Sequence, residues 1–214
     1  MDWVEAMDIR SGAIVLFQGD SITDAGRGYW DPNDLGAGYV AMVAERFSAK
    51  HPGLRAVFLN RGVSADRIRD LKDRWYEDCL SLKPDVVSIL VGVNDALGTF
   101  FGDDHTALES FEADYAEILD LARRNLDAQV VLLEPFLLPV SKELVAFRDS
   151  VDSVIRVVRK LSKEYATELV PLDSIFSETA KRETPEFWSL DGVHPTQAGH
   201  DLIARSWLKS VEGT

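Results

Sequence analysis

Five short apolar runs punctuate the chain, at residues 13–18, 55–60, 85–91, 129–134 and 168–172. They are continuous rather than alternating, as expected of strands buried on both faces of a sheet. Between them, residues 37–50, 64–80, 108–126 and 143–165 carry helical periodicity, and 197–210 closes the chain as a further helix. In the 143–165 segment, Val151, Val154, Ile155, Val158 and Leu161 recur at spacings of three or four and mark one apolar face. That stripe reads as core. Strands alternating with helices predict an α/β domain with a parallel sheet covered on both faces. No internal repeat, low-complexity tract or interdomain linker interrupts the pattern.

The chemistry-bearing residues cluster where strands end. The first run leads directly into Gly19-Asp20-Ser21-Ile22-Thr23. This places a hydroxyl at a strand's carboxyl end, where α/β sheets bind ligands. Far downstream, Asp191-Gly192-Val193-His194-Pro195 supplies a carboxylate and an imidazole. Ser, Asp and His in that chain order are one of the orders used by serine hydrolases. A serine hydroxyl is a weak nucleophile and needs a base within hydrogen-bond reach. His194 is the candidate base, Asp191 the group that orients it, and Ser21 the nucleophile. Pro195 restricts His194 to extended or turn geometry, so the segment is expected to be a loop leading into a helix. Taken alone, Asp191 reads equally well as the cap of that helix. A metal site is not expected, because the chain has one cysteine, Cys79, and His51, His105 and His200 show no ligand spacing. Cys79 reads as a small buried side chain.

Acyl transfer also needs donors for the oxygen on which negative charge develops. The second run ends in Asn60-Arg61-Gly62 and the third in Gly92-Val93-Asn94-Asp95. If strand 1 lies between strands 2 and 3, both loops flank Ser21. The Gly62 N–H, the Asn94 side-chain amide and the Ser21 N–H are then the candidate donors. Singly, Gly62 reads as well as a turn glycine, and Asn94 as a cap. Asp20 and Asp95 read as structural. Asp20 is suited to tie down the loop beside the nucleophile, and no spacing supports a glycosidase-like carboxylate pair.

Ser21 in GDSIT, Gly62 in NRG, Asn94 in GVND, and Asp191 with His194 in DGVHP resemble the four blocks of the SGNH (GDSL-type) hydrolases, in family order across residues 19–195. Ile22 stands where many members have leucine, and the Gly-x-Ser-x-Gly elbow of α/β-hydrolases is missing because Thr23 follows Ile22. The resemblance implies a three-layer α/β/α sandwich with flavodoxin-like strand order. It also implies an ester-hydrolysing triad working without metal or organic cofactor, with Gly62 and Asn94 completing the oxyanion hole. A finer resemblance is carried by Gly36-Ala37-Gly38-Tyr39-Val40, by Arg69-Asp70-Leu71-Lys72 with Arg74-Trp75, and by Lys83-Pro84-Asp85. These are similar to the small intracellular acetylxylan-esterase branch, which implies an acetylated xylo-oligosaccharide as substrate and suggests a homo-oligomer.

Composition narrows the partners. A chain of 214 residues fits one domain, 1–214, with a substantial core. A net charge of −13 argues against nucleic acid and anionic membrane, and fits a neutral sugar without selecting one. No run approaches the ~18 apolar residues of a membrane span. Met1–Ala6 show no basic segment leading into an apolar one, so a cytoplasmic enzyme is expected. Substrate-binding candidates are Tyr29 and Trp30 in the loop after the nucleophile, and Trp188 before the Asp-His block; their neighbours suggest partial exposure. Phe100 and Phe101 read equally as subsite or packing. Two alternatives stand beside the acetylesterase. One is a lipid-directed esterase, thioesterase or lysophospholipase with an acyl groove lined by Leu137-Leu138 and Phe100-Phe101. The other is a noncatalytic carbohydrate-binding module.

Overall fold

The computed structural model describes residues 7–102 and 107–213, so Met1–Ala6 and His105 of the sequence reading lie outside the described residues. A five-stranded sheet forms the centre, with β1 (Ile14–Gly19), β2 (Val57–Gly62), β3 (Val86–Leu90), β4 (Gln129–Leu133) and β5 (Glu168–Val170) in the order β2-β1-β3-β4-β5. Every neighbouring pair is parallel. Strand 1 therefore does lie between strands 2 and 3, as the flavodoxin-like order requires.

Alternation along β1 shows why both faces are covered. Phe17 packs on Tyr39 of α2 (Tyr39–Lys50) and on Trp207 of α10 (Gln197–Glu212), at ring-centroid distances of 5.8 and 5.3 Å. The next residue, Gln18, points to the opposite face and donates to the Asp78 carbonyl at 2.7 Å. That face carries α3 (Ile68–Asp73), α5 (Val93–Phe100), α6 (Leu108–Asn125) and α7 (Lys142–Tyr165). The predicted stripe of α7, Val151 through Leu161, is buried throughout. Cys79 is fully buried, as expected. One contiguous hydrophobic core runs from Ile9 to Val211. Among the described residues no helix is long and apolar enough to cross a membrane.

The predicted elements shift in physically explicable ways. β2 starts at Val57, not Arg55, because Arg55 adopts a left-handed φ of 50°. The predicted helix over 64–80 breaks into α3, α4 (Trp75–Asp78) and a 3-10 turn at Leu80–Leu82. The break falls at Arg74, whose backbone leaves the helical region and whose guanidinium turns toward the end of β1 and the loop between β2 and α3. Three short helices escape the periodicity altogether: α1 (Ser21–Asp24), α8 (Leu172–Thr179) and α9 (Pro185–Trp188). α5 was also not anticipated; it follows β3 after one turn of chain.

One buried polar contact couples the sheet to its covering helix. Trp207 Nε1 donates to Ser88 Oγ of β3 at 3.0 Å, with both residues fully buried. Ser88→Ala strands that indole N–H, at a cost of about 1–3 kcal/mol. Chemical denaturation should therefore show a lower unfolding midpoint, while the far-ultraviolet circular dichroism of the folded protein stays unchanged.

Candidate active site

The register of the sheet sets the site. Gly19, the last residue of β1, pairs with Gly62 of β2 and Leu90 of β3, so three strands end side by side. Chain emerging from β1 turns at once into α1. A Cβ on Gly19 would sit 2.3 Å from the Leu90 carbonyl oxygen and 2.4 Å from Thr23 Oγ1, so glycine is needed there. Asp20 caps the turn through its carboxylate, which accepts from the Ile22 N–H at 3.0 Å. Ser21 is thereby presented as the first residue of α1.

Ser21 Oγ lies 2.9 Å from His194 Nε2, and His194 Nδ1 lies 2.7 Å from Asp191 Oδ2. The other carboxylate oxygen of Asp191 accepts from the N–H groups of His194 and Val193, at 2.7 and 2.9 Å. The Ser189 hydroxyl, fully buried, sits 2.8 Å from the His194 carbonyl and 3.2 Å from Asp191 Oδ1. Partial burial resists charging of Asp191, but the hydrogen bonds from the His194 ring and the two N–H groups outweigh it and bring its pKa down to about 2. It is a carboxylate at every working pH, suited to accept an imidazolium proton's hydrogen bond. The loop is pinned at its neck, where Thr196 N–H donates to the Trp188 carbonyl at 2.8 Å. It also docks on the β4–α7 connection through the Leu138 N–H and the Gly192 carbonyl, at 2.9 Å. Gly192 has φ 84°, and a Cβ there would lie 2.5 Å from the Leu138 carbonyl oxygen.

The second strand end corrects one expectation. The Gly62 N–H does not face Ser21; it donates to Asn60 Oδ1 at 2.8 Å, and Gly62 is buried. Gly62 is glycine for another reason. A Cβ there would lie 2.3 Å from the Asp24 nitrogen and 2.7 Å from the Thr23 carbonyl carbon, in the helix that carries Ser21. Asn60, fully buried, donates from Nδ2 to the Thr23 and Leu35 carbonyls at 2.7 and 2.9 Å, clamping α1 to β2.

Three residues further on, Ala65 holds a left-handed φ of 69°. Its neighbours are both tied. Ser64 donates its N–H (3.1 Å) and its hydroxyl to Asp24 Oδ2. The Asp66 carbonyl accepts from Asn94 Nδ2 at 2.9 Å, leaving that amide a second N–H. Neither the Ser21 nor the Ala65 N–H meets a protein acceptor among the described residues. Arg74 braces the group from behind, donating to Asp66 Oδ2 (2.8 Å), Gln18 Oε1 (2.9 Å), Asp78 Oδ2 (3.0 Å) and the Gly19 carbonyl (3.4 Å).

The aromatic candidates separate. Trp30 is 90% exposed and Tyr29 57%. Trp188 is only 8% exposed, packed between Phe187 and Phe176, which corrects its expected role as an open sugar platform. Glu186 and Asp191 in its segment are exposed while the Trp188 ring itself turns into the core. Leu137 and Leu138 are buried as well, so they line no open acyl groove. Phe100 and Phe101 are exposed, and Phe100 leans on Phe147. No group of three or more His, Cys, Asp or Glu among the described residues is arranged to hold a metal ion.

Residues 17–202 match the GDSL-like lipase/acylhydrolase family. The chain belongs to that family. It is 36% identical over 213 residues to an acetylxylan esterase of Geobacillus stearothermophilus, with 96% of each chain covered. The crystal structure of that esterase superposes with a TM-score of 0.87 at 34% identity, again over 96% of each chain. A GDSL-like lipase described from Parabacteroides merdae superposes with a TM-score of 0.93 at 34% identity, over 98% of this chain and all of the other. Crystal structures of catalytic mutants of the Geobacillus esterase replace a serine, an aspartate and a histidine by alanine. Membership of this GDSL-like family makes the chain a carboxylic ester hydrolase.

Two buried carboxyls beneath the GDSL-type site give the enzyme a pH signature. Burial pushes Asp20 and Asp95 up to about 7, against the hydrogen bonds of the Ile22 and Ile68 N–H groups. Asp95 faces Asp20, Arg67, Tyr115 and the Ile68 N–H, the last at 3.3 Å from both carboxylate oxygens. A carboxyl near 4 in the unfolded chain and near 7 in the folded one binds more protons when folded across that window. Stability therefore falls as pH rises through it. Asp95→Asn mimics the protonated form, so its unfolding midpoint in urea should match wild type at about pH 3, below both pKa values, and exceed it increasingly up to about pH 8. Parallel curves for the two proteins would remove Asp95 from the account.

Proposed function

We propose that the chain removes O-acetyl groups from a carbohydrate, a xylan-derived oligosaccharide first among them, through a Ser21–His194–Asp191 triad and an acetyl-enzyme. The observation that carries the reading is the unbroken relay from Ser21 Oγ through both ring nitrogens of His194 to Asp191, at 2.9 and 2.7 Å. Its occurrence in a chain 36% identical to an acetylxylan esterase supports the acetyl-sugar substrate.

The chemistry follows from those contacts. Ser21 Oγ attacks the acetyl carbonyl as His194 Nε2 takes its proton, and the imidazolium is held by the Asp191 carboxylate. The new oxyanion is met by the N–H of Ser21, the N–H of Ala65 and the second N–H of Asn94. Donors of this kind are worth about 3–4 kcal/mol each when removed. His194 then protonates the departing sugar oxygen. Water, deprotonated by the same nitrogen, attacks the acetyl-enzyme and releases acetate. Gly62 acts in this scheme only by letting α1 approach β2.

The burial of Leu137 and Leu138 favours a small acyl group over a long one, because the groove proposed for a lipid chain is filled by packing. Trp30, nearly fully exposed in the loop after the nucleophile, suits the apolar face of a sugar ring.

The deciding experiment is acetate release from acetylated xylo-oligosaccharides, run beside a panel of aryl esters of increasing chain length. Ser21→Ala should lower kcat by about 10⁴-fold or more, the loss typical of a missing nucleophile, with the fold intact. Activity should drop steeply beyond acetyl. Rising activity with chain length would replace the substrate and keep the triad, whereas tight sugar binding without Ser21-dependent turnover would favour a binding module. In the same assay, Trp30→Ala should raise KM for the oligosaccharide several-fold and leave aryl acetate hydrolysis unchanged. Equal effects on both substrates would count against a sugar-binding role for Trp30.

A further inference from the structure

Tyr29 sits where a sugar platform is expected, yet its polar end is committed elsewhere. Its hydroxyl donates to Asp24 Oδ2 at 2.7 Å. The same oxygen accepts both the N–H and the hydroxyl of Ser64, the residue before Ala65. Asp24 is buried and belongs to α1, three residues after the nucleophile. One carboxylate oxygen thus gathers donors from the post-nucleophile loop and from the β2–α3 loop.

A second grip comes from the same loop. Arg27 Nε donates to the Gly62 carbonyl at 2.7 Å, and the Arg27 guanidinium lies 4.5 Å above the Tyr29 ring. Arg27 and Tyr29 therefore hold the two ends of the 62–64 stretch, and the guanidinium covers one face of the ring that a sugar would use. Tyr29 is more than half exposed, so the core does not require its ring. The hydrogen bond to Asp24, with some burial, pushes the phenol's pKa up, so it remains a donor throughout the working pH range.

Ala65, the next residue, has the left-handed conformation that side-chain-bearing residues avoid and that persists only when neighbours enforce it. We propose that Tyr29 is a positioning residue for catalysis: its hydroxyl, acting through Asp24, fixes Ser64 so that the Ala65 N–H is aimed at the reacting carbonyl oxygen. This deepens the proposed esterase mechanism and rests on it. Substrate specificity is then left to Trp30, and Tyr29 serves every acetyl ester alike.

The test is Tyr29→Phe, which keeps the ring and deletes the hydroxyl. A small displacement of a group that stabilises charge in the transition state lowers kcat rather than raising KM. The expected result is a fall in kcat of about tenfold on both an aryl acetate and acetylated xylo-oligosaccharide, with KM and the thermal midpoint nearly unchanged. Binding of a boronic acid, whose tetrahedral serine adduct places an oxygen among the oxyanion donors, should weaken by the same factor. A raised KM on the oligosaccharide alone would overturn the proposal and make Tyr29 a sugar subsite. So would unchanged kinetics and boronate affinity. Ser21→Ala, assayed in parallel, separates the two layers: turnover that survives without Ser21 sinks the esterase mechanism itself, whereas normal kinetics for Tyr29→Phe with an inactive Ser21→Ala sinks only the role of Tyr29.

Discussion

Three parallel strands end at one height because Gly19 pairs with Gly62 on one side and Leu90 on the other, and the segments carrying Ser21, Ala65 and Asn94 all start from that line. The two glycines matter for what they lack. α1 can fold back against the ends of β2 and β3 only where no Cβ stands between them, and at both positions a methyl group would meet backbone atoms at 2.3 Å. Backbone cannot yield as a flexible side chain can, so this approach fixes the position of Ser21 before its contact with His194 is considered. A strand slipped by one residue would move Ser21 by one strand rise and turn its neighbours to the opposite face.

Above that line the site is built from buried polar groups that cost stability unless fully satisfied. Asn60 uses its amide on two carbonyls and a peptide N–H. Asp24 collects Tyr29, Ser64 and the Arg27 N–H. Arg74 spreads its guanidinium over two carboxylates, one side-chain amide and one carbonyl. These contacts join α1, which carries Ser21, to the β2–α3 loop, where the left-handed Ala65 sits. Rigidity here has a chemical purpose: donors fixed before reaction need not reorganise as charge develops. A site of fixed dipoles is thus compatible with a mostly exposed triad.

Much of this was legible in the sequence, for identifiable reasons. Continuous apolar runs announce strands buried on both faces, and all five were found, with ends displaced by a residue or two. Arg55 shows the limit, since nothing in its identity signals a left-handed φ. Short helices such as α1 and α9 bury too few residues to print a period. At the site, the meeting of Ser21, His194 and Asp191 was readable because it depends on residue type. Gly62 was misread because a glycine conserves no record of whether its N–H or its missing side chain is wanted. Ala65 gave no signal, as alanine has no preference for the conformation it holds. Ser189 was missed for a similar reason, a lone serine in a polar loop. Trp188 was placed outside because neighbouring polarity describes a segment and not the direction of one ring.

The placement of Asp191 and His194 in one loop has a mechanical consequence. Among the described residues, the hydrogen bonds that set the tautomer and tilt of the His194 imidazole are internal to residues 189–194, so the imidazole and the Asp191 carboxylate form a unit assembled independently of the sheet. Among the described residues, only the hydrogen bond between Ser21 Oγ and His194 Nε2 links this unit to Ser21. What governs that crossing distance is how the loop seats, through the neck at Trp188–Thr196 and the Leu138–Gly192 contact. The β4–α7 connection bearing Leu138 is held in turn by Asp173, which accepts from the Leu137 N–H at 3.4 Å and pairs with Arg148 of α7 at 2.7 Å. A substitution in α7 or α8 that loosens this seat would leave the Asp191–His194 pair intact and lengthen the Ser21–His194 hydrogen bond on which the proposed mechanism depends. Reactivity in this fold is therefore exposed to changes well outside the four sequence blocks, along the path from Arg148 through Asp173 to Gly192.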